Sequence, residues 1–202
     1  DRTVQSIEKK TKIHRLASTR RSVFDAFAYI NRLPEKPYED ESSEDFSGRI
    51  FGRLANQEGR ILLKSPPGMS NLAYEGFKTF LQYEGDQRVG NCAACHSLPD
   101  FTDGRSHSVQ PRMVKVPTTS LRNMKQSSQS LRKIINQKIK YAKIKQKGDA
   151  PKISDAYSTI RLDQNDVSAL VAFLEVLRDV PEQTFRQLIL DAEVFNPSSA
   201  SD

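Results

Sequence analysis

The sequence is poor in the residues that most often bind metals or form disulfides. Its 202 residues include no Trp, two Cys, three His and three Met. A chain of this length buries enough surface to fold without disulfide staples. No run of about 18 apolar residues occurs, so the sequence encodes no membrane-spanning helix. Because Cys and His are so few, their positions in the sequence are informative.

Both cysteines and two of the three histidines fall in one short segment, GNCAACHSLPDFTDGRSH, residues 90–107. Within it, Cys92, Cys95 and His96 form a C-x-x-C-H pattern. Two cysteines and one following histidine meet in this way by chance on the order of 1 in 10,000 times. The spacing therefore indicates one specific chemistry.

Four interpretations compete for this pattern. A structural zinc site needs four ligands, and the motif supplies three. A thioredoxin-like redox pair requires a βαβ context that the sequence lacks. A disulfide between Cys92 and Cys95 is feasible but strained, and leaves His96 without a role. Covalent haem attachment uses all three residues, since the thiols bond to two vinyl groups on one porphyrin edge and the imidazole faces the iron. We therefore predict one haem c, with His96 as the proximal ligand.

The second nitrogen of His96 should donate a hydrogen bond to a backbone carbonyl, which fixes the ring. We expect this carbonyl in the proline-containing loop that follows the motif. The opposite face of the iron decides the function, because a Met ligand raises the potential and suits electron transfer, whereas an open face suits peroxide or gas chemistry. The candidates for that face are Met69, Met113, Met124, His14 and His107.

The apolar periodicity predicts a mainly α chain without strands of any length. Ser22 and Asp25 are candidate caps of an early helix, and Ser70 or Asn71 and Asp163 with Asp166 are candidate caps of later ones. The predicted helices are 4–33, 71–84, about 131–145, about 164–180 and a short one in 181–192, with an acidic loop at 34–47 and an ambiguous stretch at 48–63. We expect amino-terminal helices and the acidic loop in residues 1–47, a c-type cytochrome domain in 48–192 and a flexible tail in 193–202.

Apolar side chains on the two clearest helices are candidates for closing the haem pocket, although an ordinary core explains them equally well. They are Phe77, Phe80, Leu81, Leu170, Val171 and Leu174.

The net charge of +6 is unevenly distributed. Basic residues dominate 132–152, and acidic ones dominate 35–45. The basic segment is either a solvated face or a docking site for an acidic redox partner. Nucleic acid is disfavoured, because only Tyr141 is interleaved with the bases.

Several stretches resemble the carboxy-terminal haem domain of bacterial dihaem cytochrome c peroxidases and their methylamine-utilisation relatives. After C-x-x-C-H, that family has F-T-D and then T-P-x-L-R-N, and this chain has FTD at 101–103 and VPTTSLRN at 116–123. FDAFAYINRLPEKPYED, YEGFKTFLQ, SLRKIINQ and LDQNDVSALVAFLEVL resemble other helices of the family. The resemblance extends over about residues 22–179.

The chain also departs from that family. It has one C-x-x-C-H where the family has two, so a second haem domain or subunit is a candidate partner. The family's Y-M-H-D-G loop, whose Met ligates the electron-transfer haem, is replaced by MKQSSQ at 124–129. Met124 lies closest to the place of that Met, which makes it our candidate sixth ligand.

Two hypotheses follow. The chain is either a monohaem electron-transfer domain or a peroxidase-like or gas-binding haem domain with an open distal site, for which His107 is the first distal candidate. Because haem c is attached outside the cytoplasm, we expect a periplasmic or otherwise extracytoplasmic protein. The sequence begins at Asp1, so we expect a leader to have been removed or the chain to be a fragment of a longer multihaem protein.

Overall fold

The computed structural model describes residues 20–58, 63–85, 88–108, 115–143 and 158–194. Helices dominate this part of the chain, as predicted. The α-helices are α1 (Val23–Ile30), α2 (Ser43–Glu58), α3 (Asn71–Leu81), α4 (Ser128–Ala142), α5 (Gln164–Glu175) and α6 (Glu182–Val194), and a short 3₁₀ helix covers Cys92–Ala94. The predictions for residues 4–19, Met113, His14, 144–152 and 195–202 lie outside the described residues.

Side-chain caps fix where several helices begin. Ser22 and Asp25 form the predicted capping box of α1, with the Asp25 N–H donating to Ser22 Oγ over 3.1 Å and the Ser22 N–H to Asp25 Oδ2 over 3.0 Å. Ser70 caps α3, and Asp163 with Asp166 forms a second capping box at α5. These ends were predictable because each cap satisfies N–H groups that the helix leaves open.

The prediction of a loop over 34–47 was wrong at its end. Helix α2 begins at Ser43, because Ser42 Oγ accepts the Asp45 N–H at 3.0 Å and donates to the Asp45 carboxylate. The ambiguous stretch that follows is largely this same helix. The expected domain boundary between residues 47 and 48 falls inside α2.

Other predicted helices also differ in length from the observed ones. Within the described part of the predicted helix 4–33, α1 covers only Val23–Ile30, and α3 ends at Leu81, three residues before the predicted end. Helix α4 begins at Ser128, three residues early, because Ser127 Oγ accepts the Ser130 N–H. Helix α5 ends at Glu175 instead of about Val180. Directly after Glu175, the N–H groups of Val176 and Leu177 donate to carbonyls three residues back instead of four, which ends the α-helical pattern. The chain then turns into α6.

The prediction of no strands misses one short antiparallel pair. Strand β1 (Ser106–His107) pairs with β2 (Val116–Pro117). Each strand has two residues, too short to show the alternation that identifies strands from sequence.

The core is built on phenylalanine. The Phe24 ring from α1 lies 4.8 Å from Phe77, 5.4 Å from Phe101 and 5.5 Å from Phe173, measured between centroids. Phe101 follows the C-x-x-C-H motif, so its ring anchors the motif's loop in the same cluster that joins α1, α3 and α5. Helix α6 packs against α1 through a smaller cluster of Ala26, Phe185, Leu188 and Ile189.

Helices α3 and α5 cross in close contact. At the crossing, Gly76 lies against the Ala169 carbonyl, and a Cβ on Gly76 would stand 2.0 Å from that oxygen. None of the helices found in the described segments is both long and apolar enough to cross a membrane.

Candidate haem-binding site

The two cysteines lie on one short turn. The His96 N–H donates to the Cys92 carbonyl over 2.8 Å, and the Cys95 N–H reaches the same carbonyl over 3.3 Å. Asn91, which precedes the turn, has a left-handed backbone with φ of 44°. These bonds fix the backbone of the motif from Cys92 to His96 as a single turn.

The turn is fixed against the end of α3. The Asn91 N–H donates to the Gln82 carbonyl over 2.8 Å. A Cβ on Gly90 would stand 2.2 Å from the Thr79 carbonyl oxygen, so only glycine permits this approach. Helix α3 therefore positions the cysteines directly.

The thiols are unpaired and have raised pKa values. Burial raises the pKa of Cys92 to about 12, and the neighbouring Cys95 adds to the effect. Burial raises the pKa of Cys95 to about 11, helped by the carboxylates of Asp103 and Glu44 and opposed by the ammonium of Lys138. Reactive redox cysteines have lowered pKa values, and the pKa values of these two thiols are shifted in the opposite direction.

The imidazole of His96 is held by one ring nitrogen. Its Nδ1 lies 3.1 Å from the Phe101 carbonyl oxygen. A carbonyl oxygen only accepts, so Nδ1 carries the proton and Nε2 keeps its lone pair. Burial lowers the pKa of His96, against opposing hydrogen bonds to backbone groups of Phe101 and Thr119, which favours the neutral ring that metals bind. The carbonyl does come from the loop after the motif, as expected, and it belongs to Phe101, two residues after Pro99.

The loop after His96 folds back on the motif. The Asp103 N–H donates to the Cys95 carbonyl over 2.9 Å. His107 Nε2 lies 2.6 Å from Asp103 Oδ2, so the ring of our distal candidate is bonded to a carboxylate within this loop. His107 lies in strand β1, which pairs with β2 and so connects this loop to residues 116–117 through backbone hydrogen bonds.

Helix α4 places a lysine beside the site. Lys138 is partly buried, on the same helix face as the buried Leu131 and Ile139. Burial lowers the pKa of Lys138, while the charge of Cys95 opposes the shift. The charge of Lys138 also acts on the pKa of His96. A cation on α4 is thus close enough to influence both residues.

The methionines have different surroundings. Met69 is 4% exposed and belongs to the hydrophobic core. Met124 is partly buried and packs against the same core from the segment before α4. The structure thus leaves Met124 more accessible than Met69.

The predicted pocket-closing side chains are all buried: Phe77, Phe80, Leu81, Leu170, Val171 and Leu174. Phe77 and Phe80 contact Phe173 in the aromatic core, at centroid distances of 5.1 and 5.2 Å. Sequence reasoning missed other residues: Phe101, Ser120 and Arg122, which hold the loop after His96. Phe101 lies in the FTD element and Arg122 in the LRN element, with Ser120 directly before LRN, so these family elements were the signal in the sequence.

The residues around the motif fit haem c better than the other interpretations. Among the described residues, no group of three or more His, Cys, Asp and Glu side chains is arranged to hold a metal ion, so a zinc site finds no further ligands here. Two thiols outside a disulfide and an imidazole protonated at Nδ1 are the groups that covalent haem attachment requires.

Comparison with known families agrees with this fit. The model of the family described as Cytochrome c matches residues 75–178, just over half of the chain. The chain belongs to the cytochrome c family. This cytochrome therefore carries covalently bound haem c and is a c-type haem electron-transfer protein. The matched range begins within α3 and runs through the motif to beyond the end of α5, and α1, α2 and α6 lie outside it. No curated protein and no solved structure matches this cytochrome significantly.

Proposed function

We propose that this cytochrome is a monohaem electron carrier in which Cys92 and Cys95 form the thioether bonds and His96 Nε2 is an axial iron ligand. The observation that carries the proposal is the 3.1 Å contact between His96 Nδ1 and the Phe101 carbonyl, because it places the proton on Nδ1 and the lone pair that iron binds on Nε2. Bound haem c supplies reversible one-electron exchange at its iron. The chain holds it, orients the imidazole and excludes water.

The covalent part of this proposal is tested by replacing the thiols. In cells able to assemble c-type cytochromes, the wild-type protein should retain haem after denaturing electrophoresis, with one haem per chain by pyridine haemochrome assay. The Cys92→Ser/Cys95→Ser double variant should lose it. Haem that stays bound to the double variant would refute thioether attachment at these residues.

We propose Met124 as the sixth ligand. Its support is its place directly after the LRN element, together with its partial burial against the core. A thioether ligand raises the potential and keeps the iron six-coordinate, which suits a carrier.

Visible spectra test the sixth ligand. Met ligation predicts a weak far-red charge-transfer band in the oxidised protein, sharp low-spin bands in the reduced protein and no reaction with carbon monoxide. Met124→Ala should abolish the far-red band, whereas Met113→Ala, the matched control, should retain it. The reverse result would assign Met113 instead.

The alternative is a peroxidase-like or gas-binding site with open iron. A high-spin spectrum that shifts on adding carbon monoxide or cyanide would establish it and would remove the carrier proposal. Turnover with peroxide would then separate an enzyme from a gas sensor.

We also propose kinship with the dihaem cytochrome c peroxidase and methylamine-utilisation family. In its support, the FTD and LRN elements meet beside the haem motif, where the Leu121 N–H donates to the Phe101 carbonyl over 3.3 Å. A second haem domain or subunit is then a candidate partner. The test is purification of this chain from native cells. Kinship predicts that it co-purifies with a second haem-staining polypeptide, or that it is itself part of a longer haem-staining polypeptide.

We propose a periplasmic or otherwise extracytoplasmic location, since haem c assembly takes place there. The haem-stained protein should appear in the extracytoplasmic fraction, and recovery with cytoplasmic markers would contradict the proposal.

We propose an acidic redox partner that docks on α4. The support is a set of exposed lysines on this helix and at its end: Lys133, Lys140 and Lys143. Opposite charges on two partners steer their encounter.

A further inference from the structure

Three consecutive carbonyls in the loop after His96 are held by three consecutive residues of another segment. Arg122 Nε donates to the Pro99 carbonyl over 2.9 Å, and Ser120 Oγ to the Asp100 carbonyl over 2.6 Å. The Leu121 N–H donates to the Phe101 carbonyl over 3.3 Å. We call residues 120–122 the clasp. Because His96 Nδ1 bonds to that same Phe101 carbonyl, the clasp fixes the acceptor that orients the imidazole.

Arg122 in turn is fixed by α1. Its two terminal nitrogens donate to the two carboxylate oxygens of Asp25 over 2.8 and 2.9 Å. Both side chains are largely buried, with 14% of Arg122 and 6% of Asp25 exposed. The Arg122 guanidinium carbon also lies 5.3 Å from the centroid of the Phe101 ring. Arg122 thus contacts the loop through both a carbonyl and a side chain.

Asp25 is itself immobilised. Its Oδ2 accepts hydrogen bonds from the Ser22 N–H and hydroxyl, at 3.0 and 2.6 Å, as part of the α1 capping box. A rigid carboxylate requires a partner with a fixed geometry, and arginine supplies one because its planar fork donates to a carboxylate in two parallel bonds. Lysine has no such fork.

We propose that the Asp25–Arg122 pair is a positioning device for His96. The pair holds the clasp and the Phe101 carbonyl in place, and so sets how strongly His96 Nδ1–H is hydrogen-bonded. Since that bond makes the imidazole a stronger donor, the pair tunes the electron density that His96 gives the iron. This inference rests on the proposed function, because it takes His96 as the iron ligand.

The haem-loaded protein tests the proposal with Arg122→Lys and Asp25→Asn. The control is Arg49→Lys, because Arg49 makes contacts of the same kinds elsewhere, in a somewhat more exposed pair. It forms a two-bond pair with Glu41, donates to the Lys36 carbonyl and lies over the Phe46 ring. A loss of stability common to all three variants is therefore separated from an effect on His96.

Two readouts report on His96 directly. The exchange rate of its Nδ1–H with solvent, measured by NMR on the reduced protein, should rise about tenfold in Arg122→Lys and Asp25→Asn, the factor expected for losing roughly one hydrogen bond. The reduction potential should rise in both, because a weaker donor stabilises the oxidised iron less. Arg49→Lys should leave both readouts at wild-type values.

Unchanged exchange and potential in the two variants would overturn the proposal and leave the pair a merely structural contact. If Arg122→Lys does not accumulate with haem, Asp25→Asn, which keeps the side-chain size, decides the question. In the oxidised wild-type protein, where low-spin iron is paramagnetic, ring resonances of His96 without iron-induced shifts would instead refute the proposed function itself. The two failures are therefore distinguishable.

Discussion

Gly76 of α3 lies so close to Ala169 of α5 that a Cβ on the glycine would stand 2.0 Å from the alanine carbonyl oxygen and 2.9 Å from the Phe173 Cβ. Neither obstacle is the end of a flexible side chain. The two helices carry much of the aromatic core, so their separation governs its packing.

We therefore expect Gly76→Ala to lower the free energy of unfolding by about 3 kcal/mol or more, at the upper end of overpacking costs. Gly52→Ala is the control, because Gly52 is exposed in α2 and its added Cβ would meet nothing within 4 Å. It should stabilise by up to about 1 kcal/mol through helix propensity. Denaturant unfolding measures both, and equal effects would contradict the tight crossing.

Asp103 should make stability depend on pH. Burial raises the pKa of Asp103. Hydrogen bonds from the Arg105 N–H, the His107 ring and the Thr118 side chain lower it by more, so the pKa lies below its usual value of 3.8. A lowered pKa stabilises the fold above pH 3.8, and the contribution disappears as the pH falls through the folded-state value.

Asp103→Asn should therefore lower the free energy of unfolding by about 1.5–3 kcal/mol near neutral pH, the range for hydrogen bonds to a charged group. The thermal midpoints of variant and wild type should converge as the pH falls below 3.8. Midpoints that stay equally far apart across the whole pH range would show that the charge of Asp103 contributes nothing.

Lys138 should tune the reduction potential. A positive charge beside the site disfavours the oxidised iron, so Lys138→Gln should lower the potential. Two unit charges about 10 Å apart interact by roughly 1–2 kcal/mol at an effective dielectric constant of about 20, which corresponds to tens of millivolts. Voltammetry on the haem-loaded protein measures the change.

Lys133→Gln is the matched control, since Lys133 lies on the same helix but is exposed. Its effect should be several times smaller because water and salt screen it. Equal shifts of the reduction potential in the two variants would show that Lys138 acts on the iron no more strongly than the exposed Lys133 does.

The proposed docking face predicts a response to salt. Electron transfer to an acidic acceptor protein should slow steeply as ionic strength rises, because exposed charges are screened beyond about 10 Å at 0.1 M salt. Lys140→Glu should slow the reaction at low salt, whereas Lys36→Glu, in the acidic loop, should change it little. Stopped-flow mixing measures these rates, and a flat salt response would argue against steering by α4.

The sequence by itself determined the chemistry and the helical class. C-x-x-C-H is a local pattern, so its meaning depends on spacing along the chain and survives without knowledge of the fold. The caps at Ser22 and Asp163 were readable for the same reason, because a cap bonds to residues three positions away. The predicted start of α2 was wrong, since the acidic residues of 35–45 indicated a loop although Ser42 caps a helix that begins at Ser43.

Only the tertiary structure decided what holds the motif. Asp25 and Arg122 are 97 residues apart, and their pairing follows from how α1 packs over the loop after His96. Likewise, the need for glycine at position 76 arises from the neighbouring helix. Such contacts join surfaces that are distant in sequence, and no local periodicity records which surface meets which. The motif determines that haem is bound, and the packing around it determines how its ligand is oriented.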